Sequence, residues 1–281
     1  MFTQDKIEKY KECIIQHGHY SDRIYLMKTG SSPPARLPYE LIDLAKTNGY
    51  SKIFAKLPEN IEKNFLRAGF LEEARIPGFF AGKDAAVFMG FYLDSERMKE
   101  PDIDKMKDIL KIALAKRSTD KVLSLENRFT LRDCNKSDVS AMAKIYRDVF
   151  PSYPFPIHDP DYLLKTMKSH IDYFGIETDG GLVALSSAEE DREASNAEMT
   201  DFATLPEWRG NNFGQILLDR MDSTMTKKNI NTAYTIARAM SPGMNITFSK
   251  SGYKFGGRLK NNTNISGRIE SMNVWYKSLD G

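Results

Sequence analysis

Between Arg209 and Gly214 the chain reads RGNNFG, and Phe213, Ile216, Leu217 and Met221 then fall at helical spacing. Free backbone N–H groups at the start of such a helix, beside an arginine, suit a phosphate or pyrophosphate. Gly and Asn also serve strand-to-helix turns for backbone reasons alone, so the loop takes its meaning from its surroundings. Upstream, residues 197–205 alternate with period two. Ala197, Met199, Asp201, Ala203 and Leu205 take one face; Glu198, Thr200, Phe202 and Thr204 take the other. Pro206 cannot donate to a ladder and ends the strand. Glu198 and Asp201 are thus expected on opposite faces, while Glu189 and Glu190 close the preceding strand. Such acids accept protons or hold a cationic ligand; otherwise they are solvated or ion-paired surface groups.

The elements that must position these groups are spread over 281 residues, enough for one large or two modest domains. A net charge of +2 argues against a broad nucleic-acid footprint. Cys13 and Cys134 form no pairing motif and read as reduced thiols. His17 and His19 lack nearby acids or cysteines at ligand spacing, so no metal is expected. No apolar run approaches the ~20 residues that span a bilayer, and the N-terminus is too polar for a secretory signal. A cytoplasmic protein with no membrane partner is expected.

Residues 1–20 have no assignable register. Strands are expected at 22–27, 52–57, 70–76 and 85–93, with a helix closing at Asn48-Gly49 and another beginning at Pro58. Residues 103–115 carry helical spacing, and a domain boundary is placed near residue 120. The order then runs strand 128–132, helices 137–150 and 161–170, and strands 171–177 and 182–189 around Asp179-Gly180-Gly181. After the opening stretch come a strand at 233–238, a helix at 242–249, and strands near 253–259 and 269–276. Residues 50–70 and 232–255 share one layout: strand, Pro, helix containing Phe, Gly-aromatic, strand. Residues 20–93 therefore read as a second half of the same fold, a structural or dimerising module whose prolines at 33–34 lack N–H donors for a phosphate.

The loop and its order of elements resemble the GNAT N-acetyltransferases, whose loop pattern is Arg/Gln-x-x-Gly-x-Gly/Ala. Arg209 and Gly214 match its ends; Asn212 replaces the middle Gly, and Asn tolerates left-handed backbone. The resemblance covers about residues 121–281. It implies a mixed-sheet α/β GNAT fold there, preceded by residues 1–120 as a degenerate half of the same fold. It also implies acetyl-CoA as cosubstrate. Arg209, Gly210, Asn211, Asn212, Phe213, Gly214 and Gln215 would cradle its pyrophosphate, and Phe202, Ala203 and Thr204 would line its pantetheine arm. Ser241, Asn245 and Phe248 on the late helix complete that site. Phe248 stands where the family often has a thiolate-protonating Tyr, leaving Tyr253, Tyr234, a water or simple ionisation to serve. Glu198 matches a carboxylate used as base in some members. The acceptor side falls in 146–162, with Tyr153, Asp159, Asp161 and His158, together with Glu189; Arg238 or Asn261-Asn262 would meet an anion.

Longer phrases, among them YPFPIHDPDYL and NAEMTDFATLPEWRGNNFGQILL, resemble the β-lysine N6-acetyltransferases. That resemblance implies acetylation of the 6-amino group of β-lysine to give a compatible solute for osmoadaptation. It leaves a GNAT enzyme for another small amine, and a non-catalytic acetyl-CoA-binding regulator, as alternatives. A homodimer is compatible with either.

Overall fold

The computed structural model describes residues 4–116 and 123–279, so the boundary expected near residue 120 lies outside the described residues. The front half holds β1 (Lys6–Tyr10), β2 (Cys13–Gly18), β3 (Arg23–Lys28), α1 (Leu37–Asn48), β4 (Lys52–Pro58), α2 (Glu62–Arg67), β5 (Leu71–Phe80) and β6 (Asp84–Tyr92). Next comes α3 (Ile103–Ala115). The back half holds β7 (Thr130–Asp133), α4 (Val139–Val149), α5 (Pro160–Met167), β8 (Ile171–Thr178), β9 (Gly181–Asp191) and β10 (Asn196–Thr204). It continues with α6 (Phe213–Lys227), β11 (Thr232–Arg238), α7 (Pro242–Lys250), β12 (Lys254–Ile265) and β13 (Arg268–Ser278).

The thirteen strands form one sheet in the order β1-β2-β3-β4-β6-β5-β12-β13-β11-β10-β9-β8-β7. Pairing is parallel at β3/β4 and β10/β11 and antiparallel elsewhere. Outward from the β5/β12 seam the connectivity is the same in both directions, with β1–β6 running as β8–β13 do. The front half joins its own back half through this seam.

Backbone contact at the seam is a single register pair, Gly257 with Ala74. Gly257 has φ +146°, and a Cβ there would lie 2.2 Å from the Glu73 carbonyl oxygen, so only glycine permits the approach. Buried ions complete the join. Lys52 Nζ donates to Glu73 Oε2 (2.9 Å) and to the Lys260 carbonyl (2.7 Å), while the Lys260 N–H donates to Glu73 Oε1 (2.9 Å).

Apolar side chains divide into three clusters. One lies beneath α1 and α2, and a second beneath α3, α6 and α7. The third mixes Tyr25, Phe54 and Phe88 with Tyr146, Tyr153, Leu185, Ala203 and Tyr234. Tyr25 on β3 and Ala203 on β10 have six strands between them in the sheet, so the sheet curls about this face. Helix α3 packs its buried Ala113 into the second cluster and lies along α7, so by packing it belongs with the back half. The helical spacing of Met106, Ile109, Leu110 and Leu114 was legible in the sequence, although Ala113 is buried where Leu110 and Leu114 are only partly so; the β1–β2 hairpin was not legible. Pro58 opens a 3-10 turn at Glu59–Ile61 before α2 begins.

Candidate active site

Strands β10 and β11 begin as parallel neighbours and then part. They pair only at Asn196–Thr232, Ala197–Ala233 and Glu198–Tyr234. Beyond that point β10 is bulged between Thr200 and Ala203, with Asp201 in the left-handed region (φ 54°). The extra residue reverses the facing. Ala197 and Met199 lie under α6, yet after the bulge Phe202 packs on that side and Ala203 enters the opposite core. Asp201 therefore shares the face of Glu198, correcting the period-two expectation.

The parting opens a cleft of about 590 Å³. Phe202, Thr204, Arg209, Gly210, Asn212, Phe213, Gly214 and Gln215 line one side; Arg238, Ser241 and Phe248 line the other. Asn212 adopts the left-handed conformation (φ 58°) and caps α6. The N–H groups of Phe213 and Gly214, at the head of that helix, have no carbonyl one turn back within it, and both residues line the cleft. Arg209 is exposed, with Nε donating to the Thr204 carbonyl (3.3 Å). Asn211 pins the loop through Nδ2 to the Trp208 carbonyl (2.8 Å). Ala203 sits in the opposite core and Asn245 is fully buried. Asn245 Nδ2 donates to the carbonyls of Arg238 and Ser241, and its Oδ1 accepts from Asn273 and Trp275. It is thus a fastening for the β11–α7 turn, and neither residue lines the cleft.

A second cavity of about 120 Å³ lies on the other side of the bulge and shares the wall Tyr153, Thr200, Asp201, Ile236, Ile265 and Met272 with the first. Glu198 and Glu189 line it, and so do Arg23, Tyr25, Phe54 and Lys56 from the front half. Register explains the acids: Glu198 stands opposite Glu189 across β9/β10 and beside Tyr234 on β11. Burial, reinforced by the Glu189 charge, pushes the Glu198 carboxyl up to about 7, with Lys56 and a hydrogen bond from Tyr234 opposing. Burial also raises Asp201, but both its oxygens are engaged, by Tyr153 (2.5 Å) and Ser187 (2.6 Å). Of these two carboxylates, Glu198 is the one not held between two hydroxyl donors.

Other expected positions fall elsewhere. Asp159 is exposed and caps α5 by accepting the Asp161 N–H (2.9 Å). Glu190 lies buried against Lys228 and Arg192. Arg238 faces the larger cleft, its guanidinium held by Glu270 at 2.8 Å through both nitrogens, so it does not meet an anion in the smaller pocket. Tyr253 donates to Asp222 (2.6 Å) and is absent from both linings, whereas Tyr234 lines the small pocket. His158 is half-buried and outside both linings; Asp161 is exposed. Arg23, Tyr25 and Lys56 were missed. Their signal was an ionisable residue within otherwise apolar strands, RIYLMK and KIFAKLP.

Residues 139–241 match the model of the acetyltransferase (GNAT) family. A β-lysine N6-acetyltransferase of Methanococcus maripaludis is 37% identical over 97% of this chain and 98% of its own length. The chain belongs to the GNAT acetyltransferase family. A β-lysine N6-acetyltransferase of Methanosarcina mazei is 34% identical over 84% of this chain and 94% of its own. The N-acetyltransferase YodP of Bacillus subtilis is 30% identical over 95% and 96%. As a GNAT enzyme the protein is an acetyl-CoA-dependent N-acetyltransferase. Loop residues Arg209 to Gln215 fall within the matched region of the GNAT model, whereas Arg23 and Lys56 lie outside it.

Proposed function

We propose that the protein transfers the acetyl group of acetyl-CoA to the 6-amino group of β-lysine. The observation that carries this choice of acceptor is the relationship to two enzymes of that name, one of them matched over 97% of this chain and so through the front half. That half supplies one wall of the smaller pocket, which this reading assigns to the acceptor.

In this reading the large cleft takes acetyl-CoA, with its pyrophosphate at the N-terminus of α6 beside Arg209. Its pantetheine arm runs along the β10 backbone, which β11 leaves unpaired after Glu198. The smaller pocket takes the amine. The two meet at the wall of Tyr153, Thr200 and Asp201, where the thioester carbonyl and the amine must come together. An aliphatic ammonium of pKa ~10.4 is about one part in a thousand free base at pH 7. Glu198 takes one proton from the ammonium and frees the lone pair that forms the C–N bond; the second proton, shed by nitrogen as the amide forms, passes to water. The C–S bond then breaks, and with a thiol pKa of ~8.5 the sulfur leaves as thiolate without an acid at Phe248. Asp201 orients Tyr153, and Glu189 attracts the ammonium.

The same reading makes residues 1–120 a degenerate GNAT copy that lost its donor site and 121–281 the catalytic copy. It places the enzyme in the cytoplasm, where its product would serve as a compatible solute. No described helix is long and apolar enough to cross a membrane. Coenzyme A release measured over β-lysine, L-lysine, spermidine and an aminoglycoside tests the acceptor. The expected result is a preference for β-lysine; equal rates would overturn it.

A further inference from the structure

The front half's wall of the small pocket carries a cation that the acetyl-transfer chemistry does not use. Arg23 is 4% exposed and lines that pocket. Its Nη1 donates to the Asn262 carbonyl (2.7 Å) and to Thr263 Oγ1 (2.8 Å), where β12 is bulged between Leu259 and Thr263. Its Nε is buried and has no hydrogen-bond partner. Among the described residues no carboxylate lies within ion-pair distance; Asp5 and Glu73 act on it only from further away. The guanidinium lies over the rings of Tyr25 and Phe54, at 5.3 and 5.6 Å. A buried guanidinium without a counter-ion is costly, and a ligand anion relieves that cost. Glu198 and Glu189, the acids that suit ammonium groups, lie at the β9/β10 side of the same pocket.

We infer that Arg23 binds the carboxylate of the acceptor, so that the front half selects an amino acid over a plain diamine or polyamine. This deepens the β-lysine reading and rests on it for the acceptor's class. The planar fork of arginine matches a carboxylate, and Nε supplies a donor already desolvated and without a partner.

The test compares β-lysine with 1,4-diaminopentane, the same molecule without its carboxylate, on wild type, Arg23→Gln and Arg23→Lys. Wild type is expected to show a KM for β-lysine at least about 10-fold below that for the diamine. Arg23→Gln raises the β-lysine KM about 10- to 100-fold, the loss of a charge-assisted hydrogen bond, with kcat and the diamine KM little changed. Arg23→Lys falls between. Equal rises for both amines, or no wild-type preference, would overturn the inference, and the wild-type ratio decides even where Arg23→Gln does not fold. L-lysine against 1,5-diaminopentane runs alongside. An Arg23-dependent preference there without β-lysine turnover refutes only the β-lysine acceptor; β-lysine turnover indifferent to Arg23 refutes only the clamp.

Discussion

Replacing Glu198 by Gln removes a charge that its surroundings hold back. Burial and the facing Glu189 move the carboxyl from 4.5 to about 7, a displacement worth ~3 kcal/mol. The sign follows from linkage. Between these two values the folded protein holds a proton that the unfolded chain has lost, so stability from this group is complete below pH 4.5 and declines as pH rises through 7. The Glu198→Gln variant has no such decline. Wild type should therefore lose about 2 to 3 kcal/mol relative to Glu198→Gln between pH 5 and pH 8, read by urea denaturation of each at both pH values. In turnover, kcat/KM of wild type should rise with pH through about 7 as the base ionises. The variant should lose that limb and fall by roughly 10²- to 10⁴-fold. Parallel stability curves would refute the electrostatic origin of the shift. An unchanged limb in an active variant would refute the assignment of the base.

Other substitutions separate the remaining parts. Arg209→Ala should raise the KM for acetyl-CoA about 10-fold, less at high salt than at low because salt already screens the lost charge, and leave the β-lysine KM unchanged. Asp201→Asn turns an NH2 toward Tyr153 or Ser187 and should cost about 1 to 3 kcal/mol in a denaturant titration. Lys52→Met strands the buried Glu73 at the seam and should destabilise by about 3 to 5 kcal/mol, while Lys52→Met with Glu73→Gln recovers part of that loss. Gly257→Ala drives a methyl into the β5 backbone and should lower the thermal midpoint by several degrees, at roughly 2–4 °C per kcal/mol.

Much of the layout was legible because local signals agreed. Gly49 closes α1 in a left-handed turn, and α3 begins and ends where its helical spacing does, at Ile103 and Ala115. The turn into α6 was legible too, since Gly210, Asn212 and Gly214 mark it in one short stretch and Asn212 takes the left-handed backbone. What failed was whatever depends on distant partners. A β-bulge leaves no mark on alternation when the displaced residue is an Asp between Thr and Phe, so Asp201 was placed on the wrong face. Residues of β1 lie mostly exposed at the sheet's edge, where no hydrophobic period is required. Arg238 and Asn245 have the composition of ligand-binding residues, but Glu270, Asn273 and Trp275 claim them, and those partners come from β13. The smaller pocket was half hidden because the curl of one continuous sheet brings to it Arg23 and Lys56, more than a hundred residues away from Glu189 and Glu198 in the chain.

On the proposed reading, one site joins an acetyl group held against α6 to the terminal amine of β-lysine. The most direct measurement is NMR of the product formed from acetyl-CoA and β-lysine by the purified enzyme. The expected result is a single product acetylated at N6, formed in step with coenzyme A release and lost in Glu198→Gln. Acetylation at the 3-amino group, a mixture of both, or no product while spermidine is acetylated would contradict it.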